Sequence, residues 1–222
     1  MSLKNNKIVT IDGPSASGKG SLAKALAKEL NFNLLDSGLL YRAYSYCFNN
    51  SKNHSFAKDL FSHLNIKSIN NKMHVFENGK DITSILRNED VAKSASELSS
   101  FRETRENLIS FQRDLASNQG LVADGRDMGT VVFPDAGTKI FLVADAEERA
   151  KRRFLELQNA GQEVNMRDLI EDIRLRDEAD KVREISPLIP ADDSVEVNSS
   201  NLTPQEVLKI VLEIYKEKIK EV

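Results

Sequence analysis

The apolar positions of this chain change period along its length, and each change marks an element. Residues 7–12 (KIVTID) form a short run rich in β-branched side chains, stopped at Gly13-Pro14, and read as a buried strand. Residues 22–30 (LAKALAKEL) carry apolar side chains at helical spacing. Phe32–Asp36 reads as a second short strand, closed by Asp36-Ser37-Gly38, and Leu39–Phe48 (LLYRAYSYCF) as a helix. A polar break and a short amphipathic helix occupy residues 50–63. The segments Ile66–Asn70 and Met73–Phe76, separated by Asn71-Lys72 and followed by the turn Glu77-Asn78-Gly79-Lys80, alternate as small antiparallel strands do. Helices are expected over Glu89–Ser99 and Phe101–Ser117, neither with an apolar face wide enough for a central core position. Leu121–Gly125 (LVADG) and Lys139–Ala144 (KIFLVA) are continuous apolar strands. Asp145 to Glu148 opens a helix with the spacing of a capping box, and a polar break at Ala160-Gly161-Gln162 precedes a long polar helix, Met166–Arg183. Beyond Pro187 and Pro190 come a last strand at Val195–Val197 and an amphipathic helix from Thr203-Pro204-Gln205-Glu206 to Val222.

Strands alternating with helices predict an α/β fold built on a parallel sheet. The antiparallel stretch at about 62–98 reads as an insertion on that framework. No repeat, low-complexity segment or separating linker divides the chain.

Composition narrows the class without choosing a function. At 222 residues, 40% hydrophobic and 29% charged, the chain has the balance of a soluble globular domain. A net charge of −3 gives no sign of a general nucleic-acid or membrane-surface binder. The single cysteine, Cys47, excludes an internal disulfide and a four-cysteine zinc site, and His54, His63 and His74 lack metal-ligand spacing. No apolar run has the length of a membrane span, and MSLKNNK has no signal-peptide core, so a cytoplasmic enzyme is expected.

The chemistry concentrates between the first strand and the first helix. Gly13-Pro14-Ser15-Ala16-Ser17-Gly18-Lys19-Gly20-Ser21 has the GxxxxGK form of a phosphate-binding loop in its required strand–loop–helix setting. Glycines let backbone N–H groups surround phosphate oxygens, the helix start adds unpaired donors, and Lys19 supplies a full charge for a nucleoside triphosphate. A plain glycine-rich turn explains one glycine, not two in this spacing. The usual hydroxyl after the lysine is displaced: Gly20 stands there and Ser21 follows, leaving Ser21 as the candidate Mg²⁺ ligand.

Further polar groups sit where open parallel sheets bind ligands, at strand carboxyl ends. Ser37 and Arg42 follow one strand, and Arg126-Asp127 another, where a self-contained loop ion pair is the alternative. Arg149, Arg152 and Arg153 share one side of a helix, and Arg176, Asp180 and Arg183 one face of the next. A solvated, ion-paired hairpin would account for any single arginine here. Two clusters flanking a helix–loop–helix point instead to a mobile cationic lid.

Several stretches together resemble the bacterial cytidylate (CMP/dCMP) kinases: IDGPSASGKGS (11–21), LLDSGLLYR (34–42), VAKSAS (91–96), ADGRDMGTVVFPDA (123–136), RDEADKVR (176–183) and PLIPA (187–191). The similarity spans almost the whole chain. In that family the loop usually reads GPSGAGKGT, so Ala16, Ser17 and Ser21 are departures. The resemblance implies a phosphate-loop (P-loop) three-layer fold with a parallel core sheet, an inserted antiparallel sheet and a short helical lid. It divides the single domain into a core (about 1–36, 118–148 and 186–222), a monophosphate-binding region (about 37–117) and a lid (about 149–185). It implies transfer of the ATP γ-phosphoryl group to CMP or dCMP with Mg²⁺, by a chain expected to be monomeric. Gly13 to Ser21 and Arg153 would hold ATP. Ser37, Arg42, Ser96, Arg105, Arg126, Asp127, Arg176, Asp180 and Arg183 would line the acceptor site, with Lys19, Arg126, Arg176 and Arg183 catalytic. Other small-molecule kinases and a nucleotide switch remain rivals at this point. The absence of Asn-Lys-x-Asp and Thr-Lys-x-Asp guanine motifs weighs against the switch.

Overall fold

The computed structural model describes residues 5–116, 119–159, 161 and 163–220. Residues 1–4, the expected helix end at Ser117, Ala160 and Gln162 of the polar break, and the expected end of the last helix at Val222 lie outside the described residues.

The main sheet contains β1 (Asn5–Asp12), β2 (Asn33–Asp36), β6 (Leu121–Gly125), β7 (Ala136–Val143) and β8 (Val195–Asn198), all parallel, in the order β2-β6-β1-β7-β8. Neighbouring residues of one strand serve opposite faces. Val9 and Ile11 enter one core cluster with Leu26, Val122, Leu142 and Val211, whereas Ile8 enters the other with Leu35, Leu40, Tyr44 and Leu121. Burial on both faces is why these strands read as continuous apolar runs rather than alternating ones. Helices α1 (Lys19–Leu30) and α9 (Pro204–Lys220) cover the first face. Thr203 and Glu206 close the expected capping box of α9, with the Thr203 N–H donating to Glu206 Oε2 at 2.8 Å.

On the second face lie α2 (Ser37–Ser51) and α3 (His54–Ser62). Helix α2 begins two residues earlier than its apolar pattern suggests, because the Asp36 carboxylate caps it by accepting the Leu39 N–H at 3.0 Å. The insertion is an antiparallel sheet of β3 (Asn65–Ile69), β4 (Lys72–Glu77) and β5 (Lys80–Asp81). Asn70 and Asn71 both have positive φ (51° and 55°), the demand of a tight hairpin that asparagine meets well. The short helix α4 (Thr83–Leu86) leads to α5 (Glu89–Leu98) and α6 (Arg102–Asp114). Helix α6 is more central than its polar sequence suggests: Leu108 is fully buried in the second cluster.

A turn of π-helix, Met128–Val132, follows β6 and is not foreshadowed in the sequence. Asp12, at the end of β1, accepts the Met128 and Gly129 N–H groups at 2.8 Å each, and Arg113 of α6 donates to the carbonyls of Val131 and Val132. These bonds fix the preceding residues, Arg126 and Asp127, in place. Finally α7 (Ala146–Asn159) and α8 (Met166–Val182) form the helical pair that faces α5 across a cleft.

Candidate active site

The cleft opens at the carboxyl ends of β1, β2 and β6, and its floor is the loop between β1 and α1. Gly13 cannot carry a side chain there: a Cβ would lie 2.1 Å from the Leu142 carbonyl oxygen. Lys19 folds back over the loop, its Nζ donating to the Pro14 carbonyl at 2.6 Å and to Ser17 Oγ at 3.4 Å. Burial and the nearby Arg126 push its ammonium down to about 7. Ser15, Ala16, Gly18, Lys19, Gly20 and Ser21 line the cleft. Gly13, Pro14 and Ser17 do not line it, and Ser17 is fully buried.

The opposite wall gathers side chains from α2, α5, α6, the loop after β6, and α8 with its C-terminal end. Ser37 donates to Gln112 Oε1 at 2.8 Å, and Arg42 reaches the Leu86 carbonyl at 3.4 Å. Arg105 pairs with Asp127 at 2.6 Å, its guanidinium also 5.6 Å from the Tyr41 ring centre. Burial raises the Tyr41 hydroxyl to about 12, so it stays a neutral wall. Ser96 lines the cleft from α5. Arg126 and Asp127 do not pair with each other as neighbours in a loop would. Arg126 Nε instead donates to Asp180 of α8 at 2.9 Å, and Arg183 approaches the same carboxylate at 3.4 Å.

The cations outnumber their fixed partners. Arg176 Nε and Arg183 Nη2 are buried without a hydrogen-bond partner. Burial, and after it the charge of Arg126, pulls Arg176 down to about 10. Such a cluster suits an anion with several oxygens. Burial is the largest single influence on the Asp180 carboxyl and acts to raise it, but Arg126, Arg183 and Arg176 together hold it below its ordinary value.

The α7 arginines, expected as one cluster, divide between the cleft and the loop behind it. Only Arg153 of the three α7 arginines lines the cleft, pairing with Glu89 and Glu156. Arg149 and Arg152 donate instead to backbone carbonyls of the loop, Ser15 at 3.1 Å and Ser17 at 3.0 Å. Helical spacing placed all three on one side, but that side meets both the cleft and the loop behind it.

Sequence reasoning missed the acids at the strand ends. Asp36 and Asp124 are register partners on β2 and β6, and both line the cleft. Burial raises Asp124 to about 6, opposed by Lys19. An acid closing each apolar run (LLD, LVAD) was the available signal. Arg87 also lines the cleft and pairs with Asp36 at 3.3 Å.

Residues 9–217 match the family model described as "Cytidylate kinase". The chain belongs to the cytidylate kinase family. The cytidylate kinase of Stutzerimonas stutzeri is 44% identical over 218 residues, 95% of each chain. That of Mannheimia succiniciproducens is 42% identical over 224 residues, covering 98% of this chain and all of that one. Membership agrees with the parallel sheet, the phosphate loop and the inserted antiparallel sheet. In this member Ala16 adopts φ 57°, a left-handed conformation for a residue that has a Cβ. Among the described residues, no helix is long and apolar enough to cross a membrane.

Proposed function

We propose that this cleft transfers the γ-phosphoryl group of ATP to CMP or dCMP, releasing ADP and CDP or dCDP. The observation that carries the reading is the facing of two differently built walls: a phosphate loop with Lys19, and a cation-rich wall that ends in the Arg105–Asp127 pair. The loop and Lys19 take the ATP phosphates, and Arg153 reaches them from α7. The acceptor's phosphate falls to Arg42, Arg126, Arg176 and Arg183, its sugar to Asp180, and its base to Ser96, Arg105 and Asp127, with Ser37 behind.

An oxygen of the acceptor phosphate attacks the γ-phosphorus in line while the bond to the β,γ-bridging oxygen breaks, and ADP leaves with that electron pair. The attacking oxygen is already anionic, so no general base is needed. Lys19, Arg126, Arg176 and Arg183 spread the charge of the transferring group. Mg²⁺ enters with ATP as part of the substrate. The Ser21 hydroxyl and the half-buried Asp124 carboxylate line the cleft beside the loop and suit a hard divalent cation.

Residues of about 149–185 act as a lid over a core (about 1–36, 118–148 and 186–222) and a monophosphate-binding region (about 37–117). Closure excludes water and sets the turnover rate. One chain supplies every residue in this scheme, so a monomer suffices, working in the cytoplasm where the nucleotides are.

ADP release measured at fixed ATP across the common monophosphates tests the reading. CMP and dCMP should be the best acceptors, UMP clearly poorer, and AMP and GMP near background. Preference for AMP or UMP, or slow hydrolysis that no acceptor stimulates, would overturn it.

A further inference from the structure

We propose that Arg149 is a positioning residue that couples the donor site to the acceptor site through Asp177. The proposal rests on the assignment of the two sites above. Arg149 is buried, and its guanidinium joins three elements at once. Its Nε donates to the Ala144 carbonyl at 2.9 Å, at the end of β7. Nη1 donates to the Ser15 carbonyl of the phosphate loop at 3.1 Å and to Asp177 Oδ1 at 3.0 Å. Nη2 donates to Asp177 Oδ2 at 2.5 Å.

The loop end of this junction controls the direction of an amide. In a trans peptide the C=O and the following N–H point oppositely. Drawing the Ser15 carbonyl out toward Arg149 therefore turns the Ala16 N–H the other way, to the side of the loop that lines the cleft. Arg152 does the same for the next such pair, since its hold on the Ser17 carbonyl turns the Gly18 N–H inward. The grip on Ser15 also stabilises the peptide that leads into the left-handed Ala16.

The other end controls a helix. Asp177 immediately follows Arg176 on α8 and lies one turn before Asp180. The two-pronged Arg149–Asp177 contact has side-chain exposures of only 5% and 13%, so it is worth more than a surface ion pair and fixes rotation as well as distance. Helix α8 cannot move its acceptor-site arginine without pulling on the residue that shapes the phosphate loop. Filling either site therefore orders the same guanidinium, which lowers the cost of filling the other.

Calorimetric titration with CMP, alone and with a non-hydrolysable ATP analogue, tests this. The wild-type protein should bind CMP at least about fivefold more tightly with the analogue present. Asp177→Asn keeps the side chain's shape and leaves Arg149 on Ser15. It should cut that enhancement below about twofold while each ligand alone binds nearly as before. If Asp177→Asn fails to fold, Arg149→Lys, which keeps the charge but loses the fork, should also abolish the enhancement. Lys151→Ala, on the exposed side of α7, should leave it unchanged. Undiminished enhancement in a folded variant, or a wild-type protein that binds both ligands without enhancement, overturns the coupling. A wild-type protein that binds neither ligand overturns the site assignment instead.

Discussion

Arg105 and Asp127 meet at 2.6 Å inside the cleft, with side-chain exposures of 11% and 4%. A pair so nearly dry is costly unless further partners complete it. Together with Ser96 it offers cationic donors, an anionic acceptor and a hydroxyl, a set suited to the amine, ring nitrogen and carbonyl of cytosine. Uracil would set a carbonyl against a group arranged to receive an amine. Asp127→Ala should therefore narrow the CMP-to-UMP ratio of kcat/KM by roughly five- to 150-fold, the equivalent of one unpaired buried group, and leave the KM for ATP largely alone. An unchanged ratio would remove Asp127 from base selection.

Lys19 has its ammonium pushed from 10.5 down to about 7 by burial, then by Arg126. Between about pH 7 and 10.5 the unfolded chain holds a proton there that the folded one lacks, so this group's contribution to stability rises with pH across that window. Bound triphosphate reverses the electrostatic balance and favours the ammonium. ATP binding at pH 8, measured calorimetrically in two buffers of different ionisation heat, should show net proton uptake. Lys19→Met should fold, lose the uptake, and turn over at least about 100-fold more slowly. Near-native turnover in a folded variant would sink the role given to the loop.

Arg176 and Arg183 face the cleft, whereas Arg174 is exposed on another side of α8. Arg176→Ala and Arg183→Ala should each lower kcat by at least about tenfold, and Arg174→Ala by less than about twofold. Equal effects at all three positions would reduce α8 to an ordinary charged helix.

Ala16 holds φ 57° in the loop. A Cβ in this region costs about 1–2 kcal/mol, partly offset because glycine gives the unfolded chain about 0.5–1 kcal/mol more entropy to lose. Ala16→Gly should thus raise the melting temperature by about 1–4 °C in a calorimetric scan. A lower melting temperature would show that the loop is already relaxed around the alanine.

The local elements and the loop that floors the candidate site were legible in the sequence because their signals are contiguous. Two-faced burial writes Val9, Ile11 and Val122 as unbroken apolar runs, and the phosphate loop is one stretch whose chemistry lies in its own spacing. Strand-end position and helical spacing singled out Ser37, Arg42, Arg126, Asp127, Arg176, Asp180 and Arg183, and the resemblance joined them with Ser96 and Arg105 into one expected acceptor site. Tertiary structure alone decided what each charged side chain meets. Helical spacing put Arg149, Arg152 and Arg153 on one side of α7, yet two hold carbonyls of the phosphate loop and only the third faces the cleft. Arg126 and Asp127 are neighbours in the chain but take separate partners, Asp180 and Arg105. Asp12 finds its two N–H donors at Met128 and Gly129, more than a hundred residues away. The reason is physical: periodicity assigns a side chain to a face, but its partner depends on which elements the sheet order brings against that face. In this fold the order β2-β6-β1 sets the end of β6 between the first two strands, long after the chain has left them.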